Sequence, residues 1–247
     1  MPLIRIDFRG FAAAARRELG ATCALLIVAL GGLGFLSIAD EVAEGETRAL
    51  DLAVLRALRV DGLPRELVGP KWLHIAAVDV TALGSVAVLS LLILLAFALL
   101  ASLRRWAEGL LLVAGAGGGL LISQALKRVF ERERPELAYR AVEAVNASFP
   151  SGHAMLSAVV FLTLGVLAAR FSDRRRVKVL AVGAAVLVSL LVGASRVYLG
   201  VHWASDVLAG WCVGAAWAMT CWLAAFFVQR RFRRSLTSSP GLGPPLA

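Results

Sequence analysis

Two of the three histidines in the chain lie in contexts that suit chemistry on a phosphate group. His202 is followed four residues later by Asp206, a spacing that places both side chains on one face of a helix. A carboxylate in that position can accept the proton of one imidazole nitrogen and leave the other nitrogen free to attack. The alternative is a structural His–Asp pair at an interface. An ionisable residue just inside an apolar run favours function.

His153 stands directly after Pro150, Ser151 and Gly152 and before a long apolar run. Ser151 is a typical helix N-cap, and Gly152 lets an anion approach the free backbone amides at a helix start. The helix dipole favours negative charge there. His153 would then lie beside a bound anion, although an ordinary capped helix explains this segment equally well when it is taken alone.

A cationic segment precedes these residues. Lys127 and Arg134 are seven residues apart, or two helical turns, so both side chains are predicted to point the same way. Pro135 disfavours helix at Arg134 and turns the chain. Arginine can grip a phosphate with a bidentate fork and lysine as a point charge. Taken alone, such a run is more often a solvated segment beside a membrane.

Membrane helices are the elements expected to position these residues. The hydrophobic fraction is 59%, above the roughly 45–50% of globular proteins, and the mean hydropathy is +0.78. Apolar segments of about 20 residues can cross a bilayer as helices. We assign them at 20–39, 75–101, 107–126, 154–170, 179–195 and 204–228. The predicted fold is therefore an all-α polytopic membrane bundle of six transmembrane helices.

The net charge of +9 reflects basic residues at the ends of apolar runs, which is typical of membrane proteins and argues against nucleic acid as a partner. More than half of the 26 Lys and Arg residues fall on one side if the N-terminus is cytoplasmic. The expected arrangement has both termini in the cytoplasm and the histidines on the periplasmic face of a bacterial inner membrane. The three cysteines lack the spacing of a zinc site or a disulfide framework.

Segment 50–60 has apolar residues spaced along one helix face, which predicts a short amphipathic helix on the outer face; a loop helix packed on the bundle is an equal alternative.

One domain is expected at 1–234, with its motif core at 127–206. The remainder, 235–247, is rich in Ser, Pro and Gly and is predicted to be a disordered cytoplasmic tail. Residues 37–39 resemble a signal cleavage site, but acids before the first span favour an uncleaved anchor.

Together the polar segments follow the pattern Lys-x6-Arg-Pro, Pro-Ser-Gly-His and Ser-Arg-x5-His-x3-Asp, at 127–135, 150–153 and 195–206. The chain thereby resembles the type 2 phosphatidic acid phosphatase family, which is related to vanadium haloperoxidases and glucose-6-phosphatase. The resemblance implies that Lys127, Arg134 and Arg196 hold the phosphoryl oxygens, helped by Ser151 and the Gly152 amide. Such preorganised cations would stabilise the transition state.

The resemblance also implies a catalytic cycle. His202 would attack phosphorus to give a phosphohistidine, with Asp206 orienting its ring. His153 would protonate the leaving group and then activate water. No metal or other cofactor is expected, because the cations and a helix terminus supply the positive field and the motif has no carboxylate cluster suited to Mg²⁺.

A site at the membrane face predicts a lipid phosphate or diphosphate as the substrate. Undecaprenyl diphosphate is the first choice by resemblance, ahead of phosphatidylglycerophosphate, phosphatidic acid and lipid A phosphates. The main alternative is a lipid phosphotransferase that uses the same intermediate. A haloperoxidase and a non-enzymatic transporter or scaffold are less favoured, since the former branch is soluble and the latter has no need of His153, His202 and Asp206.

Overall fold

The structure is a computed structural model and describes residues 8–237. This part of the chain folds into eight α-helices, one two-stranded antiparallel hairpin and a short 3-10 turn (Leu137–Tyr139), which confirms the all-α class. The hairpin pairs β1 (Arg59–Val60) with β2 (Leu63–Leu67). The helices are α1 (Phe8–Glu44), α2 (Arg48–Ala57), α3 (Lys71–Ala82), α4 (Val86–Ser102), α5 (Trp106–Phe130), α6 (Gly152–Arg170), α7 (Arg175–Tyr198) and α8 (Ala204–Thr237).

Five helices are each long and apolar enough to cross a membrane: α1, α5, α6, α7 and α8. The second predicted span, 75–101, is not one continuous helix, because α3 and α4 meet at an angle of 53°. Ser85 caps α4 by accepting a hydrogen bond from the amide of Val88. A Cβ at Gly84 would collide with Val192 and approach the ring of His153 to 3.2 Å. The break therefore brings this span close to α6 and α7, and the count of six holds if the bent pair is one span.

Helix α6 lies at the centre of the bundle. Half of its apolar window (50%) is buried, against 17–33% for the other four unbroken spans. It packs against α4, α5, α7 and α8, while α1 packs along α8. The first turns of α6 are consequently held on all sides, and side chains at its N-terminus are firmly placed.

The glycines of α5 serve helix packing. The helix runs unbroken from Trp106 to Phe130. A Cβ at Gly118 would collide with the ring of Trp217, whose Nε1 donates to the carbonyl of Gly115 at 2.8 Å. Small residues here let α5 and α8 approach closely.

Helix α2 overlaps segment 50–60, for which the sequence offered two interpretations. It packs on the bundle, which agrees with the interpretation as a loop helix. Its buried side chains are Asp51 and Leu55, and Asp51 hydrogen-bonds to the start of α8. The hairpin that follows is tied down by buried Arg59, which donates to the carbonyls of Tyr139 and Tyr198. Of the predicted disordered tail, 235–237 continue α8 and the rest lies outside the described residues.

Candidate active site

Three segments meet at one end of the bundle because α5, α6, α7 and α8 alternate in direction. They are the end of α5 with the loop after it, the start of α6, and the link between α7 and α8. These are the three segments in which the sequence places its polar motifs. A cleft of about 500 Å³ lies beside them, lined by the end of α5 and its following loop, the start of α6, Arg196 near the end of α7 and the break in the second span. Its lining includes Lys127, Arg134, Gly152, His153 and Arg196.

His202 and Asp206 are in contact, with 3.3 Å between Nδ1 and Oδ2. They do not share a helix face as expected, because α8 begins only at Ala204 and His202 lies in the turn before it. The same turn lets Oδ2 accept the backbone amide of Trp203 at 2.9 Å. Both side chains are almost fully enclosed, with 2% of His202 and none of Asp206 exposed.

The hydrogen bonds of His202 define its tautomer. Its Nε2 lies 3.2 Å from Nη1 of Arg134, and a guanidinium nitrogen can only donate. Nε2 is therefore the acceptor, and Nδ1 carries the proton toward Asp206. Burial lowers the pKa of His202, and Asp206 opposes that shift. The ring is accordingly neutral near pH 7, with a nitrogen lone pair on its cationic side.

The cations approach the cleft from different elements. Lys127 is in the last turn of α5, where its Nζ donates to the carbonyl of Ala147. Arg134 lies beyond the helix, which ends at Phe130 with Glu131 in the left-handed region (φ 41°). The expected shared helix face is therefore wrong, and Arg134 reaches the cleft because the loop folds back. It donates to the carbonyls of 145, 146 and 201.

Arg196 is the most enclosed of the three cations, with 6% exposed. Its Nη1 donates to Oγ1 of Thr81 at 3.2 Å. Its Nε is buried and has no hydrogen-bond partner within residues 8–237. A buried donor without a partner is costly, and an oxygen of a bound anion in the cleft would supply one.

The start of α6 is built as the sequence predicts. Ser151 is the N-cap, and its Oγ accepts the amide of Ala154 at 3.5 Å. Its own amide donates to the carbonyl of Asp206, which ties the start of α6 to α8. Ser151 is fully buried, and the cap uses its oxygen only as an acceptor; its expected contact with phosphate remains a prediction. A Cβ at Gly152 would lie 3.4 Å from Oγ of Ser123 and 3.8 Å from Cε of Lys127.

Four residues of the site were not foreseen from the sequence. Ser148 donates to Oδ2 of Asp206, and Thr81 holds Arg196. Arg132 makes ion pairs with both Asp206 and Asp51. Thr81 carried a weak signal, as a polar residue inside an apolar run. No sequence pattern links Arg132 to Asp51, because they are 81 positions apart.

The chain belongs to the PAP2 superfamily, whose family model matches residues 107–230, half of the chain and all three site segments. It is an integral membrane phosphatase that acts on phosphoric esters. These comparisons confirm the resemblance drawn from the motifs. The residues described include no group of three or more His, Cys, Asp or Glu side chains placed to hold a metal ion.

Individual relatives agree with that assignment. The chain is 32% identical over 204 residues to "Phosphatidylglycerophosphatase B" of Bacillus subtilis, covering 81% of this chain and 91% of the relative. It is 37% identical over 82 residues to "Undecaprenyl-diphosphatase" of Sulfolobus acidocaldarius, about a third of each protein (33% and 32%).

Two solved structures resemble the fold. A transmembrane PAP2-type phosphatidylglycerolphosphate phosphatase from Bacillus subtilis matches with a TM-score of 0.68 and 29% identity, over 86% of this chain and 98% of that one. LpxE of Aquifex aeolicus matches with a TM-score of 0.53 and 21% identity, over 72% and 95%, which shows the fold alone.

Proposed function

We propose that this protein removes phosphate from a membrane lipid through a phosphohistidine formed on Nε2 of His202. The observation that carries the proposal is the orientation of this ring. Nδ1 is held by the carboxylate of Asp206, and Nε2 lies 3.2 Å from the guanidinium of Arg134, a residue that lines the cationic cleft. A neutral, buried imidazole with one nitrogen held by a carboxylate and the other unprotonated beside a phosphate-binding cation is arranged for nucleophilic attack.

In the first step, the Nε2 lone pair attacks phosphorus and the bond from phosphorus to the lipid oxygen breaks. His153, which lines the same cleft, donates a proton to the departing oxygen. Lys127, Arg134 and Arg196 stabilise the charge on the three remaining phosphoryl oxygens. Asp206 stabilises the positive charge that the ring of His202 acquires.

In the second step, His153 takes a proton from water, which attacks the phosphohistidine. The bond between phosphorus and Nε2 breaks, inorganic phosphate forms, and His202 returns to its neutral state. No metal takes part in this scheme, because three cations and the amide-rich start of α6 already surround the phosphate with positive charge. A phosphotransferase would differ only in passing the phosphoryl group to a second lipid rather than to water.

The shape of the cleft supports a substrate with an apolar tail. Valine and leucine side chains form part of its wall, among them Val78, Val86 and Leu120. Val78 and Val86 flank the break between α3 and α4 and are exposed on the outer surface of the bundle. A lipid can therefore place its phosphate among the cations while its tail leaves between helices.

Phosphatidylglycerophosphate is the substrate that we place first. The relative matched over most of its length is named phosphatidylglycerophosphatase B, whereas the match to the undecaprenyl-diphosphatase spans a third of each chain. Undecaprenyl diphosphate, the first choice from the sequence alone, thus becomes the second. Phosphatidic acid and the lipid A phosphates are the remaining candidate substrates, and these lipids together form the panel for the test below.

We further propose that both termini lie in the cytoplasm and that the site opens on the periplasmic side of a bacterial inner membrane. The links at the end of the bundle opposite the site are strongly basic. They carry Arg104, Arg105 and Arg174, and the first turn of α7 adds Arg175 and Arg176. Basic links of this kind face the cytoplasm.

The test is hydrolysis by purified protein in detergent, with excess EDTA, of each lipid in the panel. We expect release of inorganic phosphate in proportion to the lipid consumed, with the highest kcat/KM for phosphatidylglycerophosphate. Loss of lipid phosphate without release of inorganic phosphate would establish transfer instead. Activity that EDTA abolishes and Mg²⁺ restores would overturn the metal-free scheme.

A further inference from the structure

A buried ion-pair network lies behind the proposed catalytic residues, on the side of Asp206 away from His202. It joins Arg132, in the loop after α5, to Asp206 at the start of α8 and to Asp51 on α2. We infer that Arg132 and Asp51 are positioning residues that hold the Asp206 carboxylate and keep its negative charge available to His202. This inference rests on the proposed function.

The guanidinium of Arg132 binds the two carboxylates with separate nitrogens. Nη1 donates to Oδ1 of Asp206 at 2.6 Å and to Oγ of Ser205 at 2.8 Å. Nη2 donates to Oδ2 of Asp51 at 2.8 Å and to Oγ1 of Thr47 at 3.0 Å. All four of these bonds tie Arg132 to elements other than its own loop, so it fixes α2 and α8 relative to one another.

The two oxygens of Asp206 have different partners. Oδ1 accepts from Arg132, whereas Oδ2 accepts from Nδ1 of His202, from Oγ of Ser148 and from the amide of Trp203. A carboxylate bound at only one oxygen can rotate about its Cβ–Cγ bond. Because Arg132 binds the second oxygen, the plane of the carboxylate is fixed and Oδ2 stays directed at His202.

Asp51 completes the network from the other side. Its Oδ1 accepts the amide of Ser205 at 3.0 Å, and its Oδ2 accepts Oγ of Ser205 at 2.6 Å in addition to Arg132. The residue is 2% exposed, although it belongs to a loop helix at the end of the bundle. A buried carboxylate is retained only where it is paired and hydrogen-bonded.

The charges of the network give Asp51 an electrostatic effect as well. Two carboxylates share one guanidinium, so the group of Asp51, Arg132 and Asp206 carries a net charge of about −1, and in a buried site this charge is weakly screened. That charge favours the cationic ring formed when His202 bonds to phosphorus. Without the charge of Asp51, Arg132 would be balanced by Asp206 alone, and less negative charge would remain for His202.

The test compares Asp51→Asn with wild type and with Asp61→Asn, an exposed aspartate in the turn of the neighbouring hairpin. Steady-state hydrolysis of the preferred lipid phosphate is measured together with inhibition by vanadate and by inorganic phosphate. Vanadate bonds to the nucleophile as a transition-state mimic, whereas phosphate is held by the cations. For Asp51→Asn we expect kcat to fall roughly tenfold, the lower end of the effect seen when an outer-shell group that orients a metal-bound histidine is lost.

KM and the two inhibition constants distinguish a positioning role of Asp51 from general damage to the site. We expect KM and phosphate inhibition to change by less than about twofold, because the cations are untouched, while vanadate inhibition weakens roughly tenfold. Asp61→Asn should match wild type in every constant. Unchanged kcat and vanadate inhibition in Asp51→Asn would overturn the inference, and so would parallel weakening of vanadate and phosphate, which indicates general damage.

Arg132→Lys provides a second variant, because its single ammonium keeps the charge but loses the two-sided fork. We expect Arg132→Lys to lower kcat and weaken vanadate inhibition while leaving KM and phosphate inhibition nearly unchanged. The double variant Arg132→Lys/Asp51→Asn should be little worse than either single variant, since both residues act through the Asp206 carboxylate. Failure of both variants to fold would assign the network to stability and overturn the inference. A wild-type protein inactive on every lipid phosphate would instead refute the proposed function.

Discussion

Nη1 of Arg134 lies 3.2 Å from Nε2 of His202, so a cation of the cleft touches the nitrogen that we propose as the nucleophile. The same Nη1 donates to the carbonyl of Val201, and Nε and Nη2 donate to the carbonyls of Asn146 and Val145. The guanidinium is thus held by backbone atoms rather than by a carboxylate, which leaves its positive charge unneutralised. A phosphate bound there meets the nucleophile and the charge at once.

Replacing Arg134 by lysine tests this geometry. Lysine keeps the charge but cannot hold three carbonyls and a phosphoryl oxygen in one plane. We expect kcat/KM for the lipid phosphate to fall by about 100-fold or more, the size of effect seen when one preorganised donor is lost. Arg128→Lys, an exposed change in the same basic run, is the control and should leave kcat/KM unchanged. Near wild-type activity in Arg134→Lys would show that a point charge suffices.

Thr81→Val tests whether the broken second span orients Arg196. The hydroxyl of Thr81 accepts from Nη1 of Arg196, and a hydrogen bond to a charged group contributes about 1.5–3 kcal/mol. We expect kcat/KM to fall roughly tenfold. Thr163→Val makes the same exchange within α6, where the hydroxyl donates only to the carbonyl of Val159. Equal effects of the two substitutions on kcat/KM would refute a specific link between Thr81 and Arg196.

Gly152→Ala tests whether the start of α6 must stay open to the phosphate. The added methyl group would lie near Lys127 and Ser123 on the cleft side. We expect weaker inhibition by inorganic phosphate and a kcat/KM about tenfold lower, because the anion can no longer reach the amides closely. Gly117→Ala in α5, where a Cβ meets nothing within 4 Å, should leave both values unchanged. Normal phosphate inhibition in Gly152→Ala would place the anion elsewhere.

The buried state of His202 predicts a dependence of stability on pH. Burial lowers the pKa of His202 in the folded protein, below the value of about 6.5 expected when it is unfolded. The unfolded chain therefore binds a proton first as the pH falls. The stability from the neutral buried ring is fully present above about pH 6.5 and is lost below it, by up to about 1.4 kcal/mol per pH unit.

Thermal unfolding of wild type and His202→Gln in detergent, at pH 7.5 and pH 5, measures that difference. Titrating groups that do not contact His202 are common to both proteins and cancel in the comparison. We expect wild type to lose more stability than His202→Gln on acidification. An identical loss in the two proteins would mean that His202 is not held neutral by burial.

Local patterns in the sequence predicted the helices and singled out the candidate residues that the structure brings together at one end of the bundle. The apolar runs predicted the spans, and Ser151 was correctly placed as a helix N-cap. These features depend on neighbours within a few residues, for which periodicity and capping rules hold. The rules failed where a helix ended early, as at Phe130. The helix ends there because the backbone of Glu131 is in the left-handed region, a conformation that no local sequence pattern indicates reliably for a glutamate.

Contacts between distant segments were beyond such rules. The pairing of Arg132 with Asp51 depends on how α2 packs against the start of α8. From the sequence alone, each of the two residues is indistinguishable from an ordinary surface charge. The break at Gly84 depends on the close approach of Val192 and His153 from two other helices. Both features result from tertiary packing, and only the assembled bundle shows that they border the site.

The most direct test of the account is acid-free trapping of the enzyme during turnover of lipid labelled with ³²P in its phosphate. We predict a protein-bound label that is stable to alkali and labile to acid, as a phosphohistidine is, and that maps to the peptide containing His202. The label should be absent from His202→Ala, which should also be inactive. Label retained in His202→Ala, or full hydrolytic activity of that variant, would contradict the assignment of His202 as the nucleophile.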